Sequence, residues 1–194
     1  TFLFAALLPA TALSQSCGSG NPDIRVTSSG NNFVATRSNG AQVYSGSDYR
    51  QAIQSALDSI SYGQRVVVTA SGSIGASTIT ISSGKTLEVC GTINVGYRAG
   101  RGAIESTNTN DVSIPYLTMT GNPYFGLRFS GTRNLKLGKI TMNLSGGLGI
   151  RFDRDAAQNY NVLMDEIRVT GAGSHAVETW NIDGLQVGSV IARN

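Results

Sequence analysis

Apolar and polar residues alternate along the second half of the chain in a pattern that repeats about every 23 residues. Within each unit the apolar residues recur at every second position, which is the spacing of a β-strand and not of a helix. The irregularity is an insertion of four residues between Ile150 and Val162, and the register is kept on both sides of it. The pattern predicts an all-β stack of coils with a surface loop, and the repeated motif begins at Val112, Leu135, Val162 and Leu185.

Each coil is predicted to contain three short strands, for example 127–129, 135–137 and 140–142, joined by corners. Because side chains alternate between the two faces of a strand, one position of the first strand points inward and the next points outward. The predicted inward stack is Ile104, Leu127, Ile150 and Val177, with Phe129 on Phe152 beside it. The predicted outward row is the most charged line of the repeat and consists of Glu105, Arg128, Arg151 and Glu178.

The segment ahead of the repeat divides into two parts. Residues 15–46 alternate strand-like runs with Gly and Asn turns, which predicts a small β meander. Residues 47–62 carry apolar side chains at helical spacing after Ser47, so we expect an amphipathic helix with Ser47 as its N-cap. One helix before a strand stack suits the role of a cap on the first apolar layer. Residues 47–194 thus form the helix and the solenoid, which we expect to be incomplete at its C-terminus.

The first residues and the cysteines suggest a secreted, extracellular protein. Residues 1–14 are apolar and end in a small-residue cleavage pattern, so they resemble a signal peptide that lacks its start. Cys17 and Cys90 either form a disulfide or leave Cys90 as a buried thiol. Asn143 begins a glycosylation sequon, Asn143-Leu144-Ser145.

Composition narrows the range of partners. The net charge is only +3, charged residues make up 14% of the chain, and no Lys/Arg-rich run is interleaved with aromatic residues, so we expect no nucleic-acid partner. No transmembrane helix follows the leader, so we expect no membrane contact. There is no Cys/His cluster at zinc spacing, and nothing in the sequence supports calcium binding, so no cofactor is predicted. We expect a monomer.

The coil and the preceding helix resemble the right-handed parallel β-helix of the pectin-lyase-like superfamily, which includes pectate and pectin lyases and polygalacturonases. The resemblance covers roughly residues 47–194 and is carried by the repeat, the helix and the sequences of the coil segments 149–153 and 173–181. It implies that the charged first strand forms a binding groove, with the insertion at the groove lip. The polygalacturonase motifs are absent, and so is the asparagine ladder at the short corner Gly138-Lys139, so no catalytic residue is carried over.

The outward row contains groups suited to an acidic polysaccharide. β-Elimination of a uronan needs cations that neutralise the substrate carboxylate and a base that takes the C5 proton. Arg128 and Arg151 supply such cations, and the simpler reading is an ion-pair ladder with Glu105 and Glu178. Hydrolysis needs two carboxyl groups instead, for which Asp153 and Glu178 are the candidates.

Four further residues are candidates for the site. His175 is the sole histidine and suits a proton shuttle, but its register matches inward-pointing Leu148, which favours a packing role. Trp180, Tyr124 and Tyr160 are predicted to offer rings on which a sugar can stack.

Arg151, Asp153, Glu178 and His175 are therefore the candidate catalytic residues, and Arg128, Trp180, Tyr124 and Tyr160 are the candidate substrate-binding residues. The function we expect is cleavage of an acidic, pectin-type polysaccharide, by lyase chemistry ahead of hydrolysis. The alternative is a non-catalytic glycan-binding or adhesin-like β-helix. A third class, an ice-binding solenoid, is suggested by outward Thr118 and Thr141, but Arg168 interrupts their row.

Overall fold

The structure, a computed structural model, describes residues 16–194, and the predicted signal peptide lies outside them. The chain forms a parallel β-solenoid of about six turns. Its elements are β1 (Ile24–Ser29), β2 (Asn32–Arg37), β3 (Gln42–Gly46), α1 (Tyr49–Asp58), β4 (Arg65–Val68), β5 (Gly72–Gly75), β6 (Ile79–Thr80), β7 (Thr86–Val89), β8 (Thr92–Val95), β9 (Gly102–Thr107), β10 (Ser113–Gly121), β11 (Phe125–Ser130), β12 (Arg133–Leu144), β13 (Leu148–Phe152), β14 (Asn159–Thr170), β15 (Val177–Glu178) and β16 (Ile182–Arg193).

Two sheets run along the solenoid. Sheet A has eleven strands, with the path β16-β14-β12-β10-β7-β4-β1-β2-β3 and with β5 and β8 attached beside it. Sheet B has five strands in the order β15-β13-β11-β9-β6. The pairs β1–β2 and β2–β3 are antiparallel, and β1 then pairs in parallel with β4. The N-terminal meander therefore continues directly into sheet A.

The strand register agrees with the predicted repeat. Leu127 pairs with Ile104 on one side and Ile150 on the other, and Ile150 pairs with Val177. The first three of these side chains are fully buried, whereas Val177 is half-buried. The rings of Phe129 and Phe152 lie 5.3 Å apart between centroids in the same core. The inserted loop lies between β13 and β14, and the ladders on both sides of it remain in register.

The second and third predicted strands of a coil belong to one twelve-residue strand, as in β12. The pairing ladder of β12 omits Gly138, which lies at the predicted corner. A Cβ atom at Gly138 would lie 2.3 Å from the carbonyl oxygen of Pro115, so only glycine permits this approach. Because the backbone stays extended through the corner, the division into three strands per coil remains a prediction.

The helix is shorter than the sequence predicts. It runs from Tyr49 to Asp58, and its N-cap is Asp48, whose carboxylate accepts a hydrogen bond from Gln51 N at 2.8 Å. The prediction of Ser47 as N-cap was wrong because Asp48, an equally good capping residue, lies one position closer to the first helical turn. The helix contacts β1 to β6 through buried side chains, mainly Tyr49, Ala52, Ile53, Ala56 and Leu57. No helix within residues 16–194 has the length and apolar character needed to cross a bilayer.

Buried Gln54 joins the helix to the outer strand of sheet B. Its amide Nε2 donates to Thr80 O at 3.1 Å, and its Oε1 accepts from Thr80 N at 2.9 Å. Thr80 belongs to β6, which is the edge strand of sheet B. The side-chain amide therefore replaces the backbone partner that a preceding strand would supply.

The disulfide between Cys17 and Cys90 is confirmed, with Cα atoms 5.6 Å apart. It holds the N-terminal segment over the carboxylate of Glu88, which is only 3% exposed. Gly18 N donates to Glu88 Oε1 at 2.6 Å, and Arg65 Nη1 lies 2.7 Å from Glu88 Oε2. The disulfide and the Arg65 ion pair thus fasten the same segment to sheet A.

Removing the disulfide is expected to lower the free energy of unfolding. The two cysteines are 73 residues apart, and the entropy of closing such a loop corresponds to about 4 kcal/mol. Urea unfolding of Cys17→Ser plus Cys90→Ser should show this loss, and added reductant should not change the double variant further. An unchanged unfolding midpoint would contradict the expectation.

Replacing Gln54 with Leu should cost about 1–3 kcal/mol, because Thr80 N and O lose their partner in a buried position. Gln51→Leu on the exposed side of the same helix is the matched control and should change stability by about 0.5 kcal/mol or less. Thermal and urea unfolding measure both variants. Equal effects of the two substitutions would show that the Gln54 amide does not stabilise the edge.

Candidate functional site

The charged row predicted from the repeat lies on the outer face of sheet B. Arg128 in β11 pairs in register with Glu105 in β9 and with Arg151 in β13, and Arg151 pairs with Glu178 in β15. Parallel neighbours are about 4.8 Å apart, so the two arginines stand side by side. Their side chains are 32% and 22% exposed. We call the outer face formed by these four residues and Asp153 the arginine face.

Asp153, which follows β13, lies between the two arginines. Its Oδ2 is 2.9 Å from Arg128 Nη2 and accepts a hydrogen bond from Arg128 Nε at 3.0 Å. Its Oδ1 lies 3.5 Å from Arg151 Nε, a buried atom that makes no hydrogen bond. Arg151 also contacts Glu178 through Nη1, and Arg128 Nη1 lies 3.5 Å from Glu105 Oε1. The predicted ion-pair ladder is therefore present, with Asp153 as an additional member.

Arg101 extends the ladder beyond the residues that the sequence suggested. Its Nη2 lies 2.7 Å from Glu105 Oε2, and Gly102 N donates to Glu105 Oε1 at 2.6 Å. A Cβ atom at Gly102 would lie 2.8 Å from Arg128 Cβ, so glycine allows the strands to approach here. Arg101 lies just before β9 and outside the apolar repeat, so the periodicity did not place it on this face.

The ladder keeps two of its carboxylates ionised. Burial raises the pKa of Glu105, but the hydrogen bonds from Arg101 and Gly102 and the charge of Arg128 outweigh burial, so the pKa is lowered. The hydrogen bond from Trp180 lowers the pKa of Glu178, and Arg151 adds to this effect. A general acid in glycoside hydrolysis needs a raised pKa. Of the two carboxyl groups that the hydrolytic hypothesis needs, Glu178 therefore does not suit the role of the proton donor.

An aromatic cluster adjoins one end of the arginine face. The Phe125 ring centroid lies 5.9 Å from Arg128 Cζ and 5.7 Å from Arg151 Cζ. Tyr124 packs edge-on to Phe125 at 4.5 Å and to Tyr97 at 5.4 Å. Tyr124 and Tyr97 are both exposed. Tyr97 was missed because it lies in the irregular segment between β8 and β9, where the repeat assigns no face.

Trp180 marks the other end of the arginine face. Its Nε1 donates to Glu178 Oε1 at 2.8 Å, and Arg154 from the inserted loop lies 5.3 Å from its ring centroid. Trp180 is 42% exposed, so part of the indole faces solvent. Aromatic rings thus flank the arginine pair on both sides.

His175 is exposed in the described part of the chain, and the packing role favoured by its register stays a prediction. The equivalent residue Leu148 is buried because a further coil stacks on it, whereas no strand of the described chain stacks beyond β15. The Nδ1 atom of His175 is 2.9 Å from Ser174 Oγ. The imidazole is also close enough to Glu178 for its charge to lower the pKa of that carboxyl group.

Tyr160 and Asn143 lie on sheet A and do not join the arginine face. Tyr160 pairs with Arg133 across β14 and β12, and the Arg133 guanidinium lies 4.2 Å from the centre of its ring. The exposed Asn143 side chain lies within β12 and accepts a hydrogen bond from Thr170 Oγ1 at 2.9 Å. Tyr160 is therefore not positioned to bind a ligand together with Arg128.

No protein-family model, curated protein or solved structure matches this chain. Residues 16–194 contain a single grouping of ligand-type side chains close enough to hold a metal ion, namely Cys17, Glu88 and Cys90. Both sulfur atoms in it belong to the disulfide and Glu88 pairs with Arg65, so the grouping has little capacity to bind a metal.

The outward threonine row on sheet A joins Thr92 and Thr118 to Thr141 and then meets Arg168.

A short polar ladder occurs at a corner where none was predicted. Asp111, Asn134 and Asn161 occupy the left-handed region, with φ values of 57°, 57° and 54°, just before or within the first residues of β10, β12 and β14. Asn134 Nδ2 donates to Asp111 Oδ1 at 2.8 Å, and Asn161 Nδ2 donates to Asn134 Oδ1 at 3.2 Å. Asp and Asn tolerate this backbone conformation better than most residues, and stacking lets their side chains bond to one another.

Acid should destabilise the protein by breaking the ion-pair ladder of the arginine face. The pKa values of Glu105 and Glu178 lie below their ordinary value of 4.5, so their stabilisation is complete above about pH 4.5 and is lost as the pH falls through the lowered pKa values. Urea unfolding from pH 7 to pH 2.5 should show this loss, and Glu105→Gln should flatten the dependence. Asp155→Asn, at a side chain that is 90% exposed, is the control and should leave the profile unchanged.

Proposed function

We propose that the protein binds an acidic polysaccharide along the arginine face and cleaves it by β-elimination. The observation that carries the proposal is the pair of in-register guanidinium groups of Arg128 and Arg151, both partly exposed on the same outer face. Guanidinium groups bind carboxylates through paired hydrogen bonds. A uronate carboxylate would compete with Asp153 for these donors.

The chemistry of the face favours elimination over hydrolysis. In elimination, a base removes the C5 proton, the C4–O4 bond breaks, a C4–C5 double bond forms, and the departing sugar oxygen takes up a proton. Arg128 and Arg151 neutralise the uronate carboxylate, which makes the C5 proton more acidic, and His175 is the candidate base. Hydrolysis would instead require a carboxylic acid that remains protonated, and the lowered pKa of Glu178 argues against that residue.

The aromatic residues at both ends support a saccharide ligand. Tyr97 and Tyr124 on one side and Trp180 on the other expose ring surface next to the charged groups. Amphipathic rings suit sugars, which present C–H faces and hydroxyl edges. In the proposed complex, the polymer lies across sheet B with its carboxylates at the arginines and its sugar rings on the aromatic residues.

We also propose the finer architecture that the resemblance implies: a right-handed pectin-lyase-like β-helix with three strands per coil and α1 as its N-terminal cap. The bonds of Gln54 to edge strand β6 support the cap, and the break in the ladder at Gly138 supports a corner within β12. The disulfide supports an oxidising, extracellular location. We retain the expectation of a monomer that needs no cofactor.

One observation favours a second candidate function, that of a non-catalytic glycan-binding or adhesin-like β-helix. Each arginine of the ladder already has a carboxylate partner, and so the arginine face is nearly charge-compensated. Such a ladder also arises when two arginines are stacked only for structural reasons. Binding without product formation distinguishes this function from the lyase.

The lyase proposal is tested with pectins, alginate and glucuronan by the absorbance of unsaturated uronate and by release of reducing ends. His175→Ala should lower kcat by about 10²–10⁴-fold if the imidazole is the base. Arg128→Gln and Arg151→Gln should each lower kcat/KM by roughly tenfold or more, because a hydrogen bond to a charged group is lost.

Arg168→Gln, which removes an arginine paired with Glu166 on sheet A, is the matched control and should leave kcat/KM unchanged. Absence of product from every acidic glycan would refute the lyase. Glycan binding to sheet B that survives Arg128→Ala plus Arg151→Ala would also exclude the arginine pair as the binding site.

A further inference from the structure

A second groove lies on sheet A, away from the arginine face. Its floor is a row of outward residues on successive strands, because Thr86 pairs with Ser113, Ser113 with Lys136, and Lys136 with Leu163. Four parallel strands about 4.8 Å apart give a floor roughly 14 Å long. The cavity measures about 630 Å³, which is within the usual range of ligand sites.

The walls of the groove are polar and held in place. The ladder of Asp111, Asn134 and Asn161 forms one side. Tyr62 closes one end, and its hydroxyl donates a hydrogen bond to Asp111. The Tyr62 ring lies against Gly84, where a Cβ atom would approach within 2.1 Å of the ring. The ring is therefore fixed at both its edge and its face, although the side chain is 63% exposed.

Lys136 differs from the arginines of the arginine face because it has no carboxylate within 4.0 Å among the described residues. The nine ion pairs of residues 16–194 do not include it. It is exposed on the floor of the groove, and its charge contributes to the lowered pKa of Asp111, so the two groups are near each other. The groove thus combines an available cation, a fixed anion, side-chain amides and a fixed aromatic ring.

This combination selects among ligand classes. A nucleotide phosphate would meet a single lysine, without a backbone N–H cradle. A peptide strand would need a free sheet edge, but the floor is the face of paired strands. A sugar matches each feature, because its C–H face stacks on Tyr62, its hydroxyls bond to Asp111 and the asparagines, and a carboxylate on it pairs with Lys136.

We propose that the Tyr62–Lys136 groove is a binding site for a short acidic oligosaccharide segment, separate from the arginine face and without catalytic groups of its own. Binding there requires no cleavage on sheet B, so this site does not depend on the lyase proposal. Its role is to hold a glycan chain on a second side of the solenoid.

The test uses the full chain, with trigalacturonate as the acidic probe and cellotriose as the neutral one. Amide resonances of Ser113 and Lys136 are expected to shift saturably with trigalacturonate and more weakly with cellotriose. Lys136→Gln should weaken trigalacturonate binding by about tenfold, through loss of a charged hydrogen bond. Lys139→Gln, at a lysine of the same strand that pairs with Glu166 outside the groove, should change the affinity less than about twofold.

Tyr62→Ala should also weaken binding, whereas Tyr62→Phe keeps the ring and should retain most of the affinity, with unchanged thermal unfolding showing that both variants fold. Arg128→Gln plus Arg151→Gln should leave binding in this groove intact. Absence of saturable shifts at Ser113 and Lys136 with both probes would overturn the proposal, and so would affinities unaffected by Lys136→Gln and Tyr62→Ala. Shifts confined to sheet B would also overturn it, while leaving the arginine face as a binding site.

Discussion

In-register parallel pairing is the constraint on which the rest of this structure depends. Each residue lies next to its counterpart in the neighbouring coil at about 4.8 Å, so like residues meet like residues. In the core this is favourable, and Phe129 accordingly packs on Phe152. On the surface it is unfavourable for charges of one sign, and Arg128 is forced beside Arg151. The carboxylate of Asp153 between them resolves this repulsion.

The same constraint organises the polar corners. Side chains at corresponding corners stack, and an amide can both donate and accept, so Asn134 bonds to Asp111 on one side and to Asn161 on the other. The ladder tethers Tyr62 through Asp111 and thereby shapes a groove. Thus one rule of stacking produces two different surfaces, an ionic face on sheet B and an amide-lined groove on sheet A.

The scaffold could be predicted from the sequence because its signal is repeated. The positions of Leu127 and Ile150, the outward row of Arg128 and Arg151, and the site of the insertion all follow from the period. Contacts made by residues outside the repeat could not be predicted. Arg101 and Tyr97 belong to irregular segments, so periodicity assigned them no face.

His175 shows a different limit. Its inward register was inferred from Leu148, but burial depends on what lies on both sides of a coil, and the pattern describes only one coil at a time. Likewise, the sequence suggested several sugar-stacking residues but did not show that Tyr160 is covered by Arg133. Side-chain direction is encoded locally, whereas what covers a side chain is decided by the neighbouring coils.

The two bonds from Gln54 to Thr80 also limit how the protein can associate. An open strand edge accepts strands from other chains and so invites aggregation. At β6 the backbone N–H and C=O of Thr80 are already bound by the side-chain amide of Gln54, so they are not free to pair with another strand. A foreign strand would have to displace the helix before it could pair there, so sheet B is closed to intermolecular growth at this edge.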